Sequence, residues 1–215
     1  MTQSKKTLLL STAYFPPVQY LAFICEYPDV RIERYENYSK QSYRNRCNIL
    51  SANGVLPLVI PVKRFRGAKT PLAEIKPDNS YSWQRLHMIS IESAYRSAPF
   101  YEYYIDDIRP FMEKKYNNLL DLNGSVLDML ISVLNIPAKW KFTSSFISNP
   151  SSEMIDLRFA IHPKKTQEKI PVKLNYNDYF QVFINRHGFQ PDLSILDLLF
   201  NIGPDSLSYL RQIIK

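Results

Sequence analysis

Apolar and polar positions along the chain alternate between two periods. Thr7 to Tyr14, TLLLSTAY, is continuous in its apolar part and predicts a buried strand. Phe15-Pro16-Pro17 ends it. Proline suits the first turn of a helix, so PVQYLAFICEY predicts a helix there, broken by Pro28-Asp29. VRIERYENY alternates Val30, Ile32 and Arg34 in a strand pattern. A strand–helix–strand opening predicts a parallel, right-handed crossover. CNILSANGVLPLVIPV then predicts a hairpin, because Asn53-Gly54 is a favoured turn pair between two apolar runs. Pro57 and Pro61 make its second run an edge strand or one that ends early. Residues 63–80 are basic and broken by Gly and Pro, which predicts a long loop.

The period changes to that of helices in the middle third. SWQRLHMISIESAYRSA sets Met88, Ile91, Tyr95 and Ala98 on one stripe, with Ser82 as candidate N-cap and Pro99 as the stop. FYEYYIDDIRPFMEKKY follows, with Pro110 as a kink or boundary. NNLLDLNGSVLDMLISVLNI has a wide apolar face that Gly124 could divide. AKWKFTSSF and MIDLRFAIHP predict strands, with a charged loop between Pro163 and Pro171. Two helices close the chain. DLSILDLLFN has Asp192 as candidate N-cap and Gly203 just past its end, and Leu193, Leu196 and Phe200 form a core-facing stripe. GPDSLSYLRQII restarts at Pro204. The expected fold is therefore α/β: a layered sheet with a parallel strand–helix–strand opening and a hairpin, a helical middle segment and two C-terminal helices. No linker divides residues 1–215, so one domain is expected.

Composition sharpens this picture in three places. At 45% hydrophobic residues the chain can build a core, and its 15 Tyr suit clefts and rims as well as interiors. The net charge of +7 is uneven: residues 1–100 hold 14 Lys/Arg and 7 Asp/Glu, whereas residues 101–215 hold 13 of each. A surplus confined to one half favours an anionic partner such as a phosphate, a nucleotide-sugar, RNA or an acidic glycan, against a solubility charge on loops. Cys25 and Cys47 are too few for a disulfide scaffold, which points to a reduced, cytoplasmic setting. KKTLLLSTA is too short in its apolar part for a signal peptide, and no run approaches the ~20 residues of a membrane span.

Several chemistries have no sequence support. There is no GxGxxG, no GxxxxGK[ST], no CxxC and no GxSxG, and His87, His162 and His187 lack metal-ligand spacing. What stands out is Gln41-Ser42-Tyr43-Arg44-Asn45-Arg46, six positions dense in fork-shaped and amide groups. On a strand, Arg44 and Arg46 would share a face and repel unless an anion or carboxylate lay between them. With Asn45 the run is read as a polar clamp for phosphate, carboxylate or sugar hydroxyls, against a solvated strand lead-in that bonds loop carbonyls. His87, one helical turn after Trp83, is a candidate acid–base residue against the blander reading of a satisfied core histidine. Asp156 and Arg158 are expected to pair structurally. Asp197 is a carboxylate inside an apolar helix with no assigned role.

The stretches STAYFPPVQYL, SYRNRCNI, LPLVIPV, SAYRSAPFYEYY and GFQPDLSILDLLFNIGP, in this order over about residues 8–210, resemble the WbqC-like proteins. The resemblance marks Tyr14, Pro16, Arg44, Asn45, Arg46, His87, Tyr95, Asp197 and Asn201. Where family members often show His followed by Trp, this chain has His87-Met88. It implies a bacterial, cytoplasmic protein of O-antigen or other surface-polysaccharide synthesis, and glycine transfer to a sugar as an activity. The opening is also similar to nucleotidyltransferase-like folds, whose paired His is replaced here by Pro-Pro-Val-Gln-Tyr.

The expected protein is a transferase with a small-molecule or nucleotide-sugar substrate. His87 would be its base, and Arg44, Asn45 and Arg46 would hold the anionic donor. Tyr14 and Trp83 would form an aromatic floor, with Tyr95 also substrate-facing. Arg44, Arg46 and His87 should then open on one cavity. A non-catalytic glycan or nucleotide-sugar binder is the alternative. Nucleic acid is disfavoured because no RRM-like or KH-like signature is present. The sequence names no cofactor, metal or oligomeric state.

Overall fold

The computed structural model describes residues 6–63, 69–164, 170 and 172–214. Its centre is a four-stranded parallel sheet in the order β7-β2-β1-β8, built from β1 (Thr7–Ser11), β2 (Asp29–Glu33), β7 (Lys139–Phe142) and β8 (Met154–Asp156). Helix α1 (Val18–Glu26) makes the expected crossover between β1 and β2. The register aligns Leu8 with Val30 and Trp140, and Leu10 with Ile32 and Phe142, on one apolar face. The other face aligns Leu9, Arg31, Lys141 and Asp156 and is largely polar. Strand β1 is central, so its run of Leu8, Leu9 and Leu10 is buried on both sides.

The predicted hairpin forms as β3 (Arg46–Ser51) and β4 (Gly54–Val59), a two-stranded antiparallel ribbon apart from the main sheet. The two turn residues are Ala52-Asn53 rather than the expected Asn53-Gly54, since Ser51 and Gly54 pair as the last strand positions, and Gly54 supplies the positive φ, +99°, at the start of β4. Pro57 is tolerated opposite Asn48 because β4 has no second neighbour among the described residues. The described part of the expected 63–80 loop is not featureless. It holds the short strands β5 (Val62–Lys63) and β6 (Lys76–Pro77), paired to each other, with a 3-10 turn, Leu72–Glu74, before β6.

Three helices fill the middle: α2 (Trp83–Tyr95), α3 (Tyr101–Glu113) and α4 (Leu119–Val133). The buried stripe of α2 is Trp83, His87, Ile91, Ala94 and Tyr95, with Met88 only half-buried. Pro110 lies inside α3, near its end. Gly124 does not divide α4. A Cβ there would stand 3.2 Å from the Trp140 ring, so the glycine lets the helix approach the sheet. The strands predicted over 138–146 and 154–163 shorten to β7 and β8. Beyond each, the chain turns across the carboxyl ends of the sheet to supply donors there, the Ile147 N–H and the Arg158 side chain, both to Glu33.

After the short α5 (Ile184–His187), α6 (Ile195–Ile202) and α7 (Ser206–Ile213) close the chain. Leu193, Leu196 and Phe200 are all buried, as the stripe predicted. The cap of α6 is Ser194, whose Oγ accepts from the Leu196 N–H, and not Asp192. Asp192 instead reaches the start of α1, where it accepts from the Gln19 backbone and side chain. The predicted charged loop falls mostly on residues 165–169, outside the described residues.

Candidate functional site

The Arg44-Asn45-Arg46 run is divided by its own backbone. Tyr43–Asn45 is a 3-10 turn and β3 begins only at Arg46, so Arg44 and Arg46 do not share a strand face. The turn is tied on three sides. The Tyr43 carbonyl accepts from the Tyr14 N–H at 2.9 Å, the Arg44 carbonyl from Asn123 Nδ2 at 2.8 Å, and the Asn45 carbonyl from the Ile60 N–H at 2.8 Å. The loop after β1, helix α4 and the segment after β4 therefore all converge on it.

Arg44 points to the carboxyl ends of the sheet. Its Nε and Nη2 donate to the two oxygens of Glu36 at 2.9 and 2.5 Å, and Nη2 also donates to Ser11 Oγ at 2.7 Å. Both side chains of this pair are almost fully buried. Arg158 stands beside it. Its Nη1 donates to Glu33 at 3.2 Å, its Nε and Nη2 to Asp156 at 3.0 and 2.8 Å, and its own carbonyl accepts from Ser11. Thus the expected Asp156–Arg158 pair forms, but within a larger network in which each guanidinium already has a carboxylate partner. Arg44 and Arg158 line a cavity of about 10 Å³ between the ends of β1 and β8. That is room for one water. His87 does not line it.

His87 belongs to a second cluster. Tyr14 Oη lies 3.0 Å from His87 Nδ1, and the Val59 carbonyl is the ring's other partner. A carbonyl can only accept, so the imidazole N–H faces Val59 and Tyr14 donates to Nδ1. Burial lowers the His87 pKa to about 4, against the raising effect of Val59, which keeps the ring neutral near pH 7. The Trp83 ring packs on His87 at 5.2 Å and on Tyr14 at 6.3 Å. Val59 pairs with Arg46 across the hairpin, and Asn45 Nδ2 donates to the Ile60 carbonyl at 2.8 Å. Tyr14, Asn45, Arg46, Trp83 and His87 are therefore gathered around Val59 and Ile60, away from the fork of Arg44.

Three of these five carry buried polar atoms with no hydrogen-bond partner among the described residues: Trp83 Nε1, Asn45 Oδ1 and Arg46 Nε. Buried polar atoms are rarely left unpaired, since desolvating one without a partner costs ~1–3 kcal/mol. Two of these atoms are donors and one is an acceptor.

Tyr95 lies elsewhere. Its hydroxyl accepts from the Leu50 N–H and donates to Asp197. Asp197 also accepts from Tyr179 at 2.6 Å and Gln181 at 2.7 Å. Burial raises the Asp197 pKa to about 6, with the three donors working against it. Asn201 Nδ2 bonds the Asp197 carbonyl inside α6. This cluster joins α2, the hairpin and α6 through the core.

The start of α1, where a phosphate would sit in many α/β folds, is already filled. Pro17 has no N–H, the Val18 N–H donates to the Leu193 carbonyl, the Gln19 N–H to Asp192 and the Tyr20 N–H to the Pro17 carbonyl. Sequence reasoning passed over Ser11, Glu33, Glu36 and Asn123. Glu33 and Glu36 were the readable ones, as two acids closing a strand pattern just before an Arg-rich turn.

The geometry defines an α/β protein with a small parallel sheet, a side hairpin and a polar cluster buried where the hairpin meets α2. The chain belongs to the WbqC-like protein family, whose sequence profile matches residues 12–167. It is also 25% identical over 240 residues to an uncharacterized protein of Mycobacterium tuberculosis, Rv1507c, covering 97% of this chain and 100% of the relative. No solved structure matches. Among the described residues, no helix is long and apolar enough to cross a membrane.

Proposed function

We propose that this chain is a cytoplasmic transferase of bacterial surface-polysaccharide synthesis that holds an activated sugar between the hairpin and α2. The observation that carries the reading is the set of three unpaired buried atoms on Asn45, Arg46 and Trp83, around a neutral His87. A sugar hydroxyl can accept from Trp83 Nε1–H and donate to Asn45 Oδ1. An anionic oxygen completes Arg46 Nε–H. Tyr14 orients His87, which is the base for an acceptor amine or hydroxyl in an aminoacyl transfer such as that of glycine. Arg44 and Tyr95 have their polar groups engaged by Glu36, Ser11 and Asp197, so their part is to hold the site in place.

One observation favours a binder without chemistry: both ring nitrogens of His87 are engaged. A thermal-shift screen of nucleotide-sugars, followed by calorimetry and product detection by mass, separates the two readings. Trp83→Phe keeps the ring and removes the donor, and is expected to weaken binding by ~0.5–1.5 kcal/mol. His87→Ala is expected to cut turnover by ~10²–10⁴-fold with affinity nearly unchanged. Unchanged affinity in both Trp83→Phe and Arg46→Ala would sink the site. Binding with no product in the wild type would put the binding module first.

A further inference from the structure

A second cavity, separate from the small one beside Arg44 and Arg158, lies on the polar face of the parallel sheet. All-parallel sheets are normally covered on both faces, and their strands then read as apolar throughout. Here β7 alternates, with Lys139 and Lys141 exposed and Trp140 and Phe142 turned to the core. Where β2 meets β7 there is a surface cavity of about 350 Å³, lined by Arg31, Lys141, Thr143, Ser144, Ser145 and Met154 among others. That volume falls in the range of small-molecule sites, ~300–1,000 Å³.

Three cations around it share a single carboxylate, Asp29. Arg31 and Lys141 are direct cross-strand partners, an arrangement of like charges that costs stability. Lys139 adds a third cation on the same face, opposite Asp29. Asp29 is the one carboxylate in this block of four, and its oxygens are taken by Arg31 Nη1 at 2.6 Å and Thr7 Oγ1 at 2.8 Å. Lys141 forms no ion pair, and Ser144 and Ser145 use no hydroxyl hydrogen bond, among the described residues. The Thr143 hydroxyl is already given to Glu33 at 2.8 Å. The cavity therefore presents two hydroxyls without partners among the described residues, a guanidinium with donors to spare, and an ammonium that stabilises the Asp29 carboxylate from a distance while Arg31 and Thr7 hold that acid directly.

We propose that this cavity binds the phosphate group of a soluble small molecule, with Lys141 supplying the charge, Ser144 and Ser145 the hydroxyl donors and Arg31 the wall that fixes register. The proposal stands apart from the His87 cluster and does not depend on it.

The test is calorimetric titration of the full chain with inorganic phosphate and with glucose 1-phosphate. Saturable binding is expected. Lys141→Glu is expected to raise Kd by about tenfold or more, the scale of a lost charge-assisted hydrogen bond. Ser144→Ala with Ser145→Ala should raise it by about threefold, as neutral donors do. Lys139→Glu carries the same change in net charge but does not line the cavity, and should leave Kd within about twofold, given screening of exposed charges. All these side chains are exposed, so an unchanged Tm confirms folding. Equal loss in Lys139→Glu and Lys141→Glu would mean a diffuse field and overturn the site. So would no saturable binding of either probe. Binding confined to phosphatidic acid vesicles, with neither soluble probe bound, would also overturn it by assigning the face to a lipid surface.

Discussion

Arg44 and Arg46 are two positions apart and have opposite circumstances. Arg44 is held by both oxygens of Glu36 and by Ser11 in a nearly dry setting, whereas Arg46 Nε has no partner among the described residues. Removing one member of a buried pair strands the other charge. Arg44→Ala should therefore destabilise the protein by ~3–5 kcal/mol in urea unfolding. Arg46→Ala should stay within ~1 kcal/mol and lower only ligand affinity. Equal stability of Arg44→Ala and the wild type would return Arg44 to a ligand role. From the sequence, the density of forked side chains was legible, but their division was not. It depends on a 3-10 turn that replaces the expected strand, and on Glu36 eight residues upstream.

Among the helices, α6 is the most consequential because every residue from Ile195 to Asn201 is buried. Leu196→Ala removes a fully buried side chain and should cost ~2–5 kcal/mol, measured by chemical denaturation. A loss below ~1 kcal/mol would mean the site collapses to fill the gap. The end of α6 is tighter still. Gly203 has φ +51°, and a Cβ there would stand 2.5 Å from the Phe100 ring. Gly203→Ala thus combines backbone strain with overpacking and should lower stability by ~2 kcal/mol or more. Gly203→Ala with Phe100→Leu should recover part of that loss. No recovery would assign the cost to φ alone. The helix, its apolar stripe and its glycine stop were all readable from period and punctuation. The cap was misplaced because Ser194 and Asp192 are equally good capping residues, and the choice was made by α1, whose first turn takes Asp192.

Two buried carboxylates couple the fold to pH. Burial raises Asp197 to about 6 and Asp192 to about 7, both above the ordinary carboxylate value of 3.8. A raised folded-state pKa contributes stability that is complete below the unfolded value and is lost as pH rises through the folded value. The contribution of these groups should therefore fall between about pH 4 and pH 7. His87, lowered to about 4, acts in the opposite sense below about pH 6.5, so the carboxylate contribution is read from the variant: Asp197→Asn should lose less stability than the wild type between pH 5 and pH 8 in urea unfolding. An equal pH dependence in Asp197→Asn and the wild type would contradict the assignment. Both acids sit where segments distant in sequence meet: Asp197 with Tyr95 and Tyr179, and Asp192 with Gln19. The order of strands and helices and the apolar stripes were local in the chain, because the periods of 2 and 3.6 and the Pro and Gly breaks act over a few neighbouring residues. Which polar side chains paired, which were left open beside His87, and which charges faced the β2–β7 cavity were decided by contacts tens of residues apart. Hydrogen bonds and ion pairs act over about 3 Å, so only the packed chain brings their partners together.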